Sequence, residues 1–447
     1  MSDHKIPPPQ DRLPEEPEAD TAPSRPGIRP AWIAVPVVAI GVLVAILFLT
    51  LSGDGVAEPI FPSLANIASR HRIAFIDSEG QLGTISADGS DLRMLTDDDR
   101  AYSFPSWAPD RPTVAVIGHD TDGGGLYATE DLMDAELREL YAHPEQGPEY
   151  HFWSPDGNSL SFIAPNDQGI ALHVVPDDAI GDSRIVSTGS TSFFWDWMPD
   201  SDRVLIHSGF TGDPNAETRL AIVPVRGEMD ETEVRGPGFF QSPSVASNGE
   251  FYAYASVDPL GIRWLTVHLT ENGFTKWLQP HQGIAAMGWS PSAPHLAYIS
   301  PPDDRLTFYG SMKLYDLVND DLRELVDLTV LAFFWAPDGR SIAYITLENF
   351  ESGTERNVVE LGLWVVDTED GQERQLLSFH PTDVFVDELL PFFDSYAQSH
   401  TIWAPDSSAV VIPTRDDEGR GQIVVVPVDG SEPSTIIEGV AASWSRH

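Results

Sequence analysis

Trp153-Ser154-Pro155-Asp156-Gly157 is one copy of a phrase that recurs along the chain. Outward from it stand Trp107-Ala108-Pro109-Asp110, Trp197-Met198-Pro199-Asp200, Trp289-Ser290-Pro291, Trp335-Ala336-Pro337-Asp338-Gly339 and Trp403-Ala404-Pro405-Asp406. Two degenerate copies complete the series: Val245 takes the place of Trp before Ala246-Ser247-Asn248-Gly249, and Trp444 ends a truncated Ala442-Ser443-Trp444-Ser445. Successive markers lie 46, 44, 48, 44, 46, 68 and 41 residues apart. A period of about 40 to 50 residues, filled with strand-like runs, predicts propeller blades.

Each repeat carries the runs a blade needs. An alternating apolar run follows the turn, as in Leu160–Ile163, Phe251–Ala255 and Ser341–Ile345; a second follows, as in Ile170–Val175 and Gln422–Val426; a weaker third closes the unit, as in Leu322–Val326. Pro-Asp-Gly supplies the fixed φ, the local side-chain acceptor and the left-handed position of a tight turn between strands. The two ends complement one another. Arg72–Ile76, Gln81–Ile85 and Asp91–Leu95 read as the last three strands of a repeat lacking its first, and Val440–Trp444 reads as a first strand with nothing after it. Pairing them makes one blade from both termini and removes the exposed edges. The expected fold is all-β, an eight-bladed propeller over residues 70–447, or seven-bladed if the Val245 copy is not independent.

The Trp-Ser-Pro-Asp-Gly phrase followed by Ile-Ala-Phe-like strands resembles the TolB-like, WD-repeat-like β-propeller repeats of bacterial envelope proteins. The resemblance spans roughly residues 70 to 447 and implies protein or peptide ligands at a propeller face. Such propellers serve as adaptors, receptors, lectins and gating domains of peptidases, so the fold alone does not assign a function.

Residues 31–51 are uncharged and match the roughly 20 apolar residues that cross a bilayer. Arg25 and Arg29 precede them, while Asp54 and Glu58 follow with no basic residue before Arg70. Basic flanks stay cytoplasmic, so the expectation is a single-pass cell-membrane protein with a cytoplasmic N-terminus and an extracytoplasmic propeller. A cleaved signal peptide ending near Gly55-Val56-Ala57 is the competing reading. Residues 1–30, rich in Pro and acidic residues, read as a disordered tail, and 52–69 as a linker. The chain carries a formal charge of −43 and has three lysines, Lys5, Lys276 and Lys313. Phosphate binding needs clustered basic residues, which argues against nucleic acid. With no cysteine, disulfides, thiolate metal sites and a thiol nucleophile are excluded.

The sequence holds no Gly-x-Ser-x-Gly elbow, phosphate loop or His-Glu-x-x-His zinc motif. It also ends at the closing strand, leaving no following hydrolase domain. The expectation is therefore a protein that is not an enzyme, with no cofactor and no metal. His151 and His400 fall just before their marker Trp, where first strands line the channel, but the equivalent positions Pro105, Trp195, Pro243, Met287, Phe333 and Ala442 are not ligands. In His119–Gly125 the Asp and Gly residues suit a turn, and a calcium loop would need more oxygen ligands.

The largest departure from the period is the 68-residue spacing before Trp403. Part of the surplus falls in the acidic loop 349–356. The rest is an aromatic insertion, 379–400, placed between blades seven and eight and expected to form a short helix at one mouth of the ring. Either its aromatics plug the channel, or Phe392, Phe393, Tyr396 and His400 form a platform for a partner. The reading that follows is a membrane-anchored propeller binding or scaffolding a protein partner in an envelope complex. A glycan-binding or glycan-processing propeller, with His151, Trp195, Asp196 and His400 at the channel mouth, is the alternative; a sensor signalling through the tail is a third.

Overall fold

The computed structural model describes residues 71–446 apart from 168, 179–182, 190–192, 210–217, 227–229, 235–237, 239–240, 304–308 and 352–357. Contacts divide the chain into Met1–Leu47 and Phe48–His447, and every described residue belongs to the second unit. The tail, the apolar span 31–51 and the linker to residue 69 lie outside the described residues, as does most of the acidic loop 349–356. Among the described residues no helix is long and apolar enough to cross a membrane.

One repeat shows why these residues become strands. Tyr150–Trp153, Ser159–Asn166, Gly169–Pro176 and Arg184–Gly189 form an antiparallel four-stranded sheet in chain order. The first three are almost wholly buried, because neighbouring sheets cover both faces, and so they read as near-continuous apolar runs. The fourth alternates towards solvent. Between first and second strands, the Asp156 carboxylate accepts the N–H of Asn158 at 3.0 Å, and Asp338 accepts that of Arg340 at 2.8 Å. Gly157 and Gly339 take φ of +69° and +68° at the next position, where Ser201 and Ser407 adopt +59° and +63° in their own copies. The side-chain bond and the left-handed residue together reverse the chain in two residues.

The marker tryptophans join repeat to repeat. Six indole N–H groups reach the backbone carbonyl of the residue just before the previous marker: Trp107 to Ser443, Trp153 to Ser106, Trp197 to Phe152, Trp289 to Ser244, Trp335 to Gly288 and Trp403 to Phe334, at 2.9–3.4 Å; that of Trp444 is buried without a partner among the described residues. The relay thus passes from the second repeat to the C-terminal strand. Apolar clusters follow the same order, each spanning adjacent sheets. One of them packs Ile73, Phe75 and Trp444 against Val411, Ile423 and Val425, joining last repeat to first. Strand Ala441–Trp444 pairs antiparallel with Arg72–Ile76, Ala74 opposite Ser443 and Phe75 opposite Ala442. Arg72, itself nearly buried, donates to Asp131 and Thr84 at 2.8 and 2.6 Å and so ties this composite sheet to the next.

Five sheets have four strands and one has ten. The large one arises because Asp321–Trp335 is long enough to be the outer strand of one repeat and the inner strand of the next, pairing first with Gly310–Asp316 and then with Ser341–Glu351. Glu373–Pro381 continues in the same manner: His380 and Pro381 pair with Arg415 and Thr414, and the register resumes where Trp403 bridges Val410. The sequence reading, which set the aromatic segment between repeats and began it at residue 379, is corrected here. The insertion interrupts the inner strand of the last repeat, because Phe379 to Pro381 still carry ladder bonds.

Candidate binding cavity beside a plugged channel

The insertion forms a π turn at Phe385–Leu389, a 3₁₀ turn at Leu390–Phe392 and a short helix at Phe393–Ser399. A helix of two turns with no side-chain N-cap has little intrinsic stability, so packing must hold it. It does so against the inner strands of four repeats: Tyr150–Trp153, Phe193–Trp197, Ala286–Trp289 and Asp321–Trp335. A single element in contact with four inner strands occupies the space those strands surround. Phe385, Leu390, Phe393 and Tyr396 are the buried side chains that place it there.

Two groups of side chains fix the helix. Phe393 stands edge-on to Phe333 and Phe334, with ring centroids 5.4 and 6.2 Å apart. Tyr396 packs among Phe104, Tyr150 and His400 at 5.8, 5.4 and 4.8 Å. The Ser399 hydroxyl bonds the Tyr150 hydroxyl, the Ser395 carbonyl at 3.0 Å and His400 Nδ1 at 2.7 Å. His151 is 5.9 Å from the His400 ring and bonds Ser106 Oγ through Nε2 at 2.7 Å. Burial, and then the neighbouring imidazole, hold His151 well below the usual histidine range; burial likewise lowers His400 to about 3. Both rings are therefore neutral at physiological pH, and burial pushes the Tyr150 and Tyr396 hydroxyls up. Among the described residues no group of three or more His, Asp and Glu side chains is placed to hold a metal.

Beside the helix lies a cavity of about 390 Å³. Phe333, Trp335 and Phe393 supply apolar wall, and Asp196, Asp394, Gln398 and Arg446 supply polar groups. Asp196 is 6% exposed, and burial raises its carboxyl to about 7 even though Oδ2 accepts the Val245 N–H at 2.7 Å. Burial raises Asp394 to about 6 despite an N–H from Ser395 at 3.0 Å. A smaller cavity of about 30 Å³ shares Phe334, His400 and Ile402 with the first and includes Glu388, raised to about 7 by burial and then by Asp387. A site built this way can enclose an apolar group and hydrogen-bond a polar one beside it.

The residues singled out from sequence divide into three. His151, Tyr396 and His400 meet in one buried cluster, which Trp195 joins through an edge-on contact with Tyr150 at 5.8 Å. Asp196 and Phe393 line the cavity. Phe392 is half-buried, outside both groups. Phe104, Tyr150, Ser399, Asp394, Gln398 and Arg446 were not anticipated. Tyr150 and Ser399 adjoin the two histidines in sequence, which was the available signal. Phe104 carries φ +55°, a conformation that bulky residues rarely adopt and that no sequence pattern announces. The His119–Gly125 segment forms the tight hairpin between Thr113–Asp120 and Gly123–Glu130.

No family model matches the sequence, and no curated protein matches it. Solved structures match in fold. Dihydro-heme d1 dehydrogenase NirN in complex with DHE is 13% identical, over 92% of this chain and 85% of that one, with a TM-score of 0.52. A structure from work on two prolyl endopeptidases is 13% identical over 78% of this chain and 50% of that one, with a TM-score of 0.53. TolB from Acinetobacter baumannii is 14% identical over 69% of this chain, with a TM-score of 0.38, and the present chain spans 63% of its length. The first two likenesses give an all-β propeller fold and no more. They also correct the expectation that the protein is not an enzyme: a dehydrogenase and prolyl endopeptidases share this fold, so the architecture is compatible with catalysis.

Proposed function

We propose that the protein is a membrane-anchored extracytoplasmic propeller whose eight repeats close into one ring, and that it binds a protein partner of the cell envelope at the cavity beside the channel helix. The cavity carries the reading. A helix packed on four inner strands blocks the channel, and beside it remains a space of about 390 Å³, within the range of about 300–1,000 Å³ typical of ligand pockets. The indole relay and the pairing of Ala441–Trp444 with Arg72–Ile76 support ring closure. The uncharged stretch 31–51 and its flanking charges support the anchor and its orientation.

The test places a photo-cross-linking side chain at Ala397, which is exposed and lines the cavity, and for comparison at exposed Thr435 on the strand Ser434–Glu438. Irradiation of intact cells is expected to give a discrete adduct with an envelope protein from position 397 and none from 435. Equal labelling from both positions, or none from 397, contradicts the reading. A glycan ligand is favoured by one specific feature, the two buried carboxyls Asp196 and Asp394 in a cavity walled by Trp335. Binding on a glycan array that is lost in Asp394→Asn would move the assignment there.

A further inference from the structure

Among the described residues the cavity is lined by one cationic side chain, Arg446, with no acid within ion-pair distance of it. Arg72, Arg111, Arg203, Arg340 and Arg420 each sit within ion-pair distance of an aspartate. Arg446 has no such partner among the described residues; its Nη2 donates to the backbone carbonyl of Gln398 at 3.1 Å, and the side chain keeps solvent-accessible surface at the cavity although the surrounding protein partly desolvates the guanidinium and lowers its pKa. The carboxyls of Asp196 and Asp394, which line the same space, are already engaged by the N–H groups of Val245 and Ser395. A cationic ligand would therefore meet an unpaired guanidinium and two occupied acids. A carboxylate would meet a planar donor fork that matches it.

A second open group lies beside the first. Gln398 Nε2 donates to the Pro243 carbonyl at 2.9 Å, which fixes the amide's orientation, and leaves Oε1 buried without a donor. A buried acceptor of this kind costs free energy until something donates to it. N–H donors for a carboxylate at Arg446, an acceptor for an N–H at Gln398 and an apolar wall of Phe333 and Phe393 are the complement of one chemical unit. We propose that the cavity receives the free carboxyl terminus of a partner polypeptide with an apolar last residue. Arg446 holds the terminal carboxylate, Gln398 Oε1 accepts the last amide N–H, and the final side chain lies against Phe333 and Phe393. The surrounding negative charge, −43 over the chain, disfavours a small free anion and makes the apolar contact necessary. This inference rests on the cavity being the recognition site.

The experiment uses the full chain in detergent micelles and pools of fluorescein-labelled hexapeptides. The first five residues are random and the last is Leu, Phe, Lys or Asp, and each pool is made both as the free acid and as the terminal amide. Anisotropy is expected to show binding of the Leu and Phe acids, with their amides about tenfold weaker, the scale of a lost charge-assisted bidentate pair. Arg446→Gln is expected to abolish the acid–amide difference, and Arg446→Lys to keep part of it. Because Arg446 is exposed, a thermal melt equal to that of the unmodified protein confirms that each variant is folded. Equal binding of acids and amides, preference for the Lys pool, displacement by acetate as effective as by peptide, or no binding by any pool overturns the proposal. Cross-linking at Ala397 without acid selectivity leaves the protein-partner reading standing and removes this one; acid selectivity without a cellular adduct keeps recognition of a polypeptide carboxyl terminus and removes the envelope protein as its source.

Discussion

The joint at Trp153 and the joint at Val245 occupy the same place in their repeats, two apart along the chain, and are held in opposite ways. At Trp153 the indole fills the space between sheets and donates to the Ser106 carbonyl one repeat back. Val245 has no such donor, yet the link to the previous repeat persists: its backbone N–H donates to the Asp196 carboxylate at 2.7 Å. The bond runs between the expected positions with the chemistry exchanged. Trp153 contributes nothing to the cavity, whereas Val245 and Asp196 both line it. Markers Trp289, Trp335 and Trp403 line the cavity too, so the difference at Val245 lies in the carboxyl that takes over the joint and becomes part of the site.

The sharpest break in this comparison is truncation of a marker. Trp403→Ala empties a buried space and leaves the Phe334 carbonyl without its donor, which is expected to cost about 3–5 kcal/mol in urea unfolding, whereas Val245→Ala, with far less to lose, is expected to cost no more than about 2 kcal/mol. Equal losses would mean that the two joints are not energetically distinct. Asp196→Ala leaves the Val245 N–H buried without an acceptor and is expected to cost about 1–3 kcal/mol, with Asp196→Asn restoring most of it.

At the turns the effects are smaller. Gly157→Ala forces a side chain into a left-handed position and brings its Cβ within 2.1 Å of Asp110 Oδ1, for an expected loss of at least about 1–2 kcal/mol. Ser201→Gly relieves a left-handed conformation at a non-glycine residue but removes the hydroxyl that accepts the Asp156 N–H at 3.0 Å, so the two effects oppose and the net loss is expected to be smaller than for Gly157→Ala, about 1 kcal/mol or less. A result in the reverse order would show that the turn copies are not equivalent.

The smallest signal concerns pH. The folded-state pKa of Asp196, about 7, lies above the ordinary carboxylate value of 3.8, so the folded chain holds the proton more tightly than the unfolded one. The stability contributed by that proton is complete below about pH 4 and is lost as pH rises through 7. Asp394 and Glu388 act in the same direction. Asp196→Asn should therefore flatten part of the decline in melting temperature between pH 4 and 8, and an unchanged slope would remove Asp196 from the buried set.

Much of this was legible in the sequence because it repeats. A marker that recurs with a local turn signal fixes the strand grammar, and the incomplete runs at Arg72 and Trp444 identify one another as missing partners. The site was less legible because it depends on where the repeat fails. That His380 and Pro381 keep their ladder bonds, and so send the following residues inward, is a matter of register that composition does not encode. Gln398 and Arg446 stand far apart in sequence and meet only because both ends of the last repeat face one space. Aromatic content predicted either a plug or a platform for the insertion, but which of Phe392, Phe393 and Tyr396 would be buried follows from helix phase, and that phase is set by contacts with four other repeats.

The proposed closure of the ring underlies the reading of the channel helix and the cavity, and the absence of cysteine allows a direct test. Ala74 and Ser443 face each other across the terminal strand pair and are both buried. In Ala74→Cys/Ser443→Cys, oxidation should form an intramolecular disulfide nearly quantitatively and raise the unfolding midpoint, because the bond joins the two ends of the repeat array. Two thiols that remain free and separately reactive in the folded, oxidised protein would contradict the closed array.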